Sequence, residues 1–439
     1  MVEAKTKVQR YERYKDSELE WLGEIPLNWN LQKLKSFLTV HGRIGFRGYT
    51  VNDLVDKGDG AVTISPSNMG ESEMIWKKVS YLSWKKYYES PEIIVEKGDL
   101  LIVKTASIGK IAYVRELKEK ATINPQILVL KNIKINKDYF YYQLLSNVIQ
   151  HQLQTEKIGS TIYTISENKI LNFRSLVPPL SEQTAIAEFL DDKTTKIDEA
   201  ITIKQQQISL LKERKQILIH KAVTQGLKPN VKLKDSGVEW IGEIPVGWDL
   251  LPGFMVYKEN KTKNDGMIED VVLSLSYGNI VIKPKEKLVG LVPESFETYQ
   301  IVKPGDIIIR CMDLQNDKTS LRTGIAENDG IITSAYLNLN IVNNNVSEYV
   351  YNFLHSLDTT KVLYKFGTGL RQNLSFGDFK HLQIPIPPKE EQETIVDYIE
   401  NITQKIETAI SLKQQEIAKL KEYKSGLINS VVTGKVKVC

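Results

Sequence analysis

The chain has 439 residues, 41% of them hydrophobic and 26% charged, with a net charge of +4 and a pI near 8.6. That length accommodates two or three domains with real cores, the balance excludes global disorder, and the mild basicity permits a polyanionic partner without demanding one. No apolar run reaches the length of a membrane span and the N-terminus has no apolar signal core, so the expected setting is the cytoplasm, with no membrane partner. Cys311 and Cys439 imply no disulfide framework. The five scattered histidines lack the spacing of a zinc site.

In chain order, the first distinctive stretch is Lys15-Asp16-Ser17-Glu18-Leu19-Glu20-Trp21-Leu22-Gly23-Glu24-Ile25-Pro26-Leu27-Asn28-Trp29, which returns almost unchanged from Lys234 to Trp248. A repeat of this kind announces a duplicated unit. Trp21, Trp29, Trp240 and Trp248 have the types to stack on bases, but in Gly- and Pro-bounded segments they read as packed turns.

Short strand-like runs follow in each half. They are Ala61–Ser65, Gly98–Lys104 and Gln126–Leu130, then Val271–Ser276, Gly305–Arg310 and Ala335–Leu339. A helix is expected near Tyr139–Leu153 and near Tyr349–Tyr364, and each precedes a polar Gly-containing loop, Gly159–Ile165 or Gly367–Leu374.

Each half then closes on a long helical stretch. Pro178-Pro179-Leu180-Ser181-Glu182-Gln183 opens the first and Pro387-Pro388-Lys389-Glu390-Glu391-Gln392 the second, and the register runs without a gap to Thr224 and Thr433. Heptads place Leu190, Ile197, Lys204, Leu211 and Leu218 at one seam position, and Thr194, Ile201, Ile208, Lys215 and Ala222 at the other. The second copy gives Ile399, Ile406, Lys413, Leu420 and Leu427, then Thr403, Ile410, Ile417, Lys424 and Val431. Shared polar interruptions fix a register. A helix of about 40 residues is roughly 60 Å long, more than one compact domain needs, so the two read as spacer helices packed on each other, antiparallel if related by a pseudo-two-fold. The expected division is 1–177, 178–226, 227–386 and 387–439. The fold class is α/β (α+β), two mixed α/β domains separated by an antiparallel coiled coil.

The Trp-Leu-Gly-Glu-Ile-Pro…Trp turn, the Gly-Asp-Leu-Leu-Ile strand, the Pro-Pro-Leu-Ser-Glu-Gln helix start and the closing Ala-Val-Thr-Gln-Gly together resemble the specificity subunit of Type I restriction-modification systems. The resemblance spans essentially the whole chain and appears twice. It implies two target-recognition domains, each reading one half of a bipartite site in double-stranded DNA. It also implies two copies of a DNA adenine methyltransferase subunit and restriction/translocase subunits as partners, with S-adenosylmethionine, ATP and Mg on those partners and catalysis done by them. In agreement, the chain lacks an Asn-Pro-Pro-Tyr-type loop and a Gly-x4-Gly-Lys-Ser/Thr phosphate loop.

Base edges are read by hydrogen-bonding side chains, whereas Lys and Arg on phosphates position a domain. The candidates in the first half are Ser65, Ser67 and Asn68; Lys104, Thr105, Ser107 and Lys110; and Tyr163 and Thr164. Their counterparts are Ser276, Tyr277 and Asn279; Arg310, Asp313, Gln315, Asn316 and Lys318; and Arg371, Gln372 and Asn373. The run from Trp76 to Tyr88, basic with interleaved aromatics, reads either as a phosphate-contacting surface or as a half-buried strand and turn.

Two other readings compete. Asp99 followed by Glu116-Leu117-Lys118 has the types of a metal-dependent nuclease acting alone, although Asp306 in the second half has no such sequel. A protein-only coiled-coil scaffold would use the outward helix faces, Gln205, Gln206, Lys212 and Glu213 with Gln414, Gln415, Lys421 and Glu422.

Overall fold

The computed structural model describes residues 9–43, 45–70, 74–159, 161–284, 286, 295–312, 314, 321–366 and 373–438. The chain divides into two compact units, Met1–Ile203 with Glu416–Cys439, and Lys204–Gln415.

In the first unit an antiparallel sheet is ordered Ile111–Tyr113, Leu100–Val103, Ile127–Lys131, Thr39–Gly42. Its central strand is apolar at every position because both faces are covered. Leu101 and Val103 join Val62, Ile64, Tyr81 and Val95 of a second, five-stranded mixed sheet. Leu100 and Ile102 point the other way, onto Tyr139, Phe140, Val148 and Leu153 of helices Lys137–Leu145 and Asn147–Glu156. The single helix expected over Tyr139–Leu153 is thus two, broken at Ser146, whose hydroxyl accepts from the Val148 amide at 3.2 Å and caps the second.

The second unit repeats the first sheet in the same order, as Thr323–Ile325, Ile307–Ile309, Leu337–Ile341, Tyr257–Glu259. Helix Ser347–Thr359 covers one face through Tyr349, Val350, Phe353 and Leu357. The expected continuation to Tyr364 is a separate 3-10 turn, Val362–Lys365, entered through Lys361 at φ +64°. Among the described residues the other layer comprises two strand pairs, Gln300–Val302 with Gly330–Ile332 and Leu273–Ser276 with Asn279–Ile282, joined by a parallel bridge between Val272 and Ile331.

The long helices are Leu180–Gln225 and Lys389–Val432. Each unit holds the start of one and the end of the other. In the first unit Ile186, Ala187 and Leu190 share a core with Ile428, Val431 and Val432, and Lys424 Nζ pairs with Asp198 at 2.6 Å. In the second, Ile219, Ala222 and Val223 share a core with Ile395, Val396 and Ile399, and Lys215 Nζ pairs with Glu407 at 2.8 Å. Within each unit the contacts climb one helix as they descend the other, so the segments are antiparallel. Lys215 and Lys424 interrupt the seam because each reaches a carboxylate on the facing helix.

The seam positions Leu190, Ile197, Ile201, Ile399, Ile406 and Ile410 are buried. Ile208, Leu211, Leu218, Ile417, Leu420 and Leu427 are only half-buried, a correction to a uniform core. Beside Leu218 and Leu427, Ile219 and Ile428 are buried where the globular cores meet the helices.

The repeated motifs perform one task twice. Gln183 is buried; its amide donates to the Pro178 carbonyl at 2.8 Å and its oxygen accepts from the Asn136 amide at 2.9 Å. Gln392 donates to the Pro387 carbonyl at 2.9 Å and accepts from the Val346 amide at 2.9 Å. Each glutamine thereby bolts a long helix to the loop that starts its domain's covering helix. The opening turn is fixed from the same place, since Trp29 is fully buried with Nε1 donating to Glu182 at 2.9 Å. Against each turn rests the closing glycine of the other helix. Gly434 (φ +72°) would place a Cβ 2.3 Å from Pro26 Cγ, and Gly226 (φ +72°) one 3.0 Å from Trp248 Cζ2.

Two outcomes follow for thermal unfolding. Gly434→Ala should cost about 1–3 kcal/mol, from a left-handed L-residue plus the Pro26 overlap, and Gly226→Ala less, because Trp248 has only to yield by tenths of an ångström. Gln183→Leu and Gln392→Leu, each stranding a buried proline carbonyl and a part-buried amide, should each cost about 1–3 kcal/mol. Midpoints at wild-type level for either glutamine variant would show that the bolts do not hold the helices.

Candidate nucleic-acid interface

The strands of the first unit deliver three loops to one place. Strand Gly60–Ile64 ends at Ser65, strand Leu100–Val103 ends at Lys104, and the third loop precedes helix Glu167–Leu171. Lys110 Nζ donates to the Pro66 carbonyl at 2.9 Å, joining the first two loops. The Ala106 amide donates to the Tyr163 carbonyl at 2.9 Å and the Thr105 and Thr164 hydroxyls lie 3.1 Å apart, joining the second and third. All three sequence-expected clusters therefore form one surface.

Their members do different work. Asn68 is only 3% exposed; its oxygen accepts from the Ser65 amide at 3.0 Å and its amide donates to the Ile75 carbonyl at 3.2 Å. It closes a capping box with Ser65, so the expectation that Asn68 reads a base is corrected. Lys110 is engaged by a carbonyl and Lys104 lies 3.5 Å from Glu167 with its side chain largely buried, so both act as loop ties. Ser67, Ser107, Tyr163 and Thr164 stand exposed on the surface those ties define. Tyr163 is 41% exposed, with Lys157 Nζ 4.6 Å from its ring centre, a neighbour that sequence reading missed.

The second unit joins its loops in the same way. The Leu374 amide donates to the Cys311 carbonyl at 2.8 Å, bringing the loop that carries Asn373 to the end of strand Ile307–Ile309. Arg310 is half-buried there, and Asn373 is exposed. Asp313, Gln315, Asn316, Lys318, Arg371 and Gln372 lie outside the described residues. Ser276, Tyr277 and Asn279 form the tip of the strand pair Leu273–Ser276 and Asn279–Ile282.

The residue that organises this region was not singled out from sequence. Arg322 is fully buried, donating to the Met312 carbonyl at 2.7 Å, the Arg310 carbonyl at 3.3 Å and the Tyr364 hydroxyl at 3.2 Å. It precedes strand Thr323–Ile325 as Lys110 precedes Ile111–Tyr113, and both cations hold loop carbonyls. A lone Arg in sequence carries no sign of such burial. Burial also pushes the Cys311 thiol up to about 12, so it stays a protonated, unreactive side chain.

Asp99, the residue on which the nuclease reading rested, is buried; it accepts from the Glu96 amide at 2.9 Å and pairs with Lys131 at 2.9 Å. Asp306 accepts from the Lys303 amide at 2.9 Å in the equivalent turn. Both are turn-closing groups, which explains why the aspartate is repeated without a Glu-x-Lys behind it. Among the described residues no group of three or more His, Cys, Asp or Glu could hold a metal ion. The Trp76–Tyr88 run resolves into strand Ser80–Ser83 and the short helix Trp84–Tyr88, with Lys77, Lys78 and Lys85 exposed and Lys86 paired to Glu89 at 2.8 Å.

Residues 26–213 and 253–422 each match the family model described as the Type I restriction modification DNA specificity domain. The chain is similar to a putative type I restriction enzyme MjaX specificity subunit from Methanocaldococcus jannaschii, 24% identical with 97% of each chain covered. It is also similar to the MjaVIII specificity subunit of the same organism, 26% identical over 49% of this chain and 50% of that one. A solved chain from work on complex assembly and conformational transition of the type I R-M system shares the fold with a TM-score of 0.65 at 15% identity, covering 94% of this chain and 99% of that one. With two matches that together span most of its length, the chain belongs to the Type I restriction modification DNA specificity family.

Proposed function

We propose that each unit reads one half of a bipartite site in double-stranded DNA, and that the long helices set the unread gap and dock two copies of a DNA adenine methyltransferase subunit. Restriction/translocase subunits complete the assembly. Adenine methylation and ATP-driven cleavage belong to those partners, with S-adenosylmethionine, ATP and Mg on them, and the complex works in the cytoplasm. The observation that carries this reading is the recurrence of one loop junction on one sheet order in both units, furnished with different side chains. Duplicated scaffold with diverged loops is what two half-sites of different sequence require.

The surface chemistry fits base reading. Hydroxyls, an asparagine and tyrosines face outward, while Lys104 and Lys110 are tied to protein groups, so specificity rests on donors and acceptors. The outward helix residues Gln205, Gln206, Lys212, Glu213, Gln414, Gln415, Lys421 and Glu422 are all exposed and equivalent between the two copies, as two identical partners would need.

Adenine-methylation mapping in cells expressing this chain with its methyltransferase should give two short specified blocks separated by a fixed gap. Ser107→Ala combined with Thr164→Val should relax one block alone, each lost base contact being worth roughly 1–3 kcal/mol of discrimination. Arg371→Ala should relax the other block alone. An assembled methyltransferase complex that produces no split motif would overturn the reading.

A further inference from the structure

The strand pair Leu273–Ser276 and Asn279–Ile282 is built unlike its counterpart. In the first unit strand Gly60–Ile64 pairs with Ser80–Ser83 across a long connection, within a five-stranded sheet. In the second, the corresponding strand folds straight back through Tyr277 and Gly278 and pairs with Asn279–Ile282, its base held to strand Gly330–Ile332 by the Ile331 amide donating to the Val271 carbonyl at 2.8 Å. The result is a ribbon anchored at its base, with two different faces.

The register fixes those faces. Leu273 opposes Ile282 and Leu275 opposes Ile280, so these four share one side. Leu273, Leu275 and Ile280 of that side are seated on the domain, whereas Ile282 at the ribbon's end is 53% exposed. A Cβ on Gly324 would lie 2.8 Å from Leu275 Cδ1 and 3.0 Å from Ile280 Cδ1, and one on Gly330 would lie 2.7 Å from Leu273 Cγ. The ribbon approaches this closely because glycines lie beneath it. Ser274, Ser276, Asn279 and Val281 make up the opposite side, with Asn279 and Val281 exposed. Three hydrogen-bonding side chains and one small apolar group form a compact outward row.

The tip is the most exposed large hydrophobic position described, with Tyr277 91% exposed. Its backbone is at φ +50° and that of Gly278 at φ +82°, the two-residue hairpin turn that Asn-Gly ordinarily fills. A bulky aromatic rarely adopts the left-handed region, so the fold gains nothing from a tyrosine there. Gly278 is itself pressed against Leu321, where a Cβ would come within 2.9 Å of Cδ1, which holds the tip in place. A ring kept in water, in a backbone conformation that disfavours it, points to a ligand.

We propose that this ribbon enters the major groove of duplex DNA, with Ser274, Ser276, Asn279 and Val281 on base edges and the Tyr277 ring packed against the bases at its leading end. A two-stranded ribbon matches a groove about 12 Å wide. Asparagine suits the paired donor and acceptor of adenine, and the Val281 methyls suit a thymine methyl. The first unit, lacking a ribbon, reads through its loops. The inference rests on the second unit being a DNA reader and names the element that reads.

The experiment uses the full chain assembled with its methyltransferase subunits, a duplex carrying the wild-type motif, and methylation mapping in parallel. Tyr277→Asn should leave the unfolding midpoint equal or higher while lowering affinity for the duplex at least 10-fold, and Tyr277→Phe, which keeps the ring, should stay within about 3-fold of wild type. Asn279→Ala should lose discrimination at one base pair of one block and leave the other block intact. A wild-type split motif that both Tyr277→Asn and Asn279→Ala read with unchanged affinity would overturn the ribbon while leaving the two-reader function standing. Loss of methyltransferase assembly in Tyr277→Asn would make the ribbon a protein-docking element and overturn it as well. Absence of any split motif from the wild-type complex would remove the function on which it rests.

Discussion

A buried glutamine amide at the start of each long helix is the contact on which the architecture depends. Gln183 and Gln392 each satisfy a buried proline carbonyl and a part-buried backbone amide. A buried polar backbone left unpaired is costly, so the helix start, the loop into the covering helix and the sheet beneath must form together or not at all. The opening Trp turn and the closing glycine of the other helix complete that junction. Each unit is therefore assembled from the beginning of one repeat and the end of the other.

From this junction the reading surfaces inherit their rigidity. The central sheet is covered on both faces in the first unit, and its strands Leu100–Val103 and Ile127–Lys131 are buried nearly throughout. Loops leaving such a sheet start from fixed points. Lys110 and Arg322 then hold the loops through carbonyls, at equivalent places and with different reach. Cations that sequence inspection would assign to phosphates are in fact internal ties, and the neutral polar groups they position face solvent. In the first unit that surface offers neutral hydrogen-bonding groups at Ser67, Ser107, Tyr163 and Thr164.

The divergence between the units lies in the second layer. Among the described residues one unit completes a five-stranded sheet, and the other carries a ribbon, bridged at its base to strand Gly330–Ile332, whose tip projects. Because the platform and the long helices are the same, this change alters the shape offered to a ligand without disturbing the anchorage. The Gly324 and Gly330 positions beneath the ribbon are part of the same difference, since side chains there would lift it away.

The repeats, the strand positions and the long helices with their seam could be read from the sequence, because each depends on local periodicity or on a motif that occurs twice. Helix boundaries at Ser146 and Lys361, the half-burial of Ile208 and Leu420, and the roles of Asn68, Lys104, Lys110 and Arg322 could not. Whether an asparagine closes a turn or faces a ligand depends on what lies across from it, and the partner of Asn68 is the Ile75 backbone carbonyl seven residues on. The sequence by itself determined that there are two equivalent units on paired helices, since periodicity and repetition are properties of the chain alone. Only the tertiary structure decided which polar side chains are consumed in holding the loops and which remain exposed, because a hydrogen-bonding group engaged inside the fold is not available outside it.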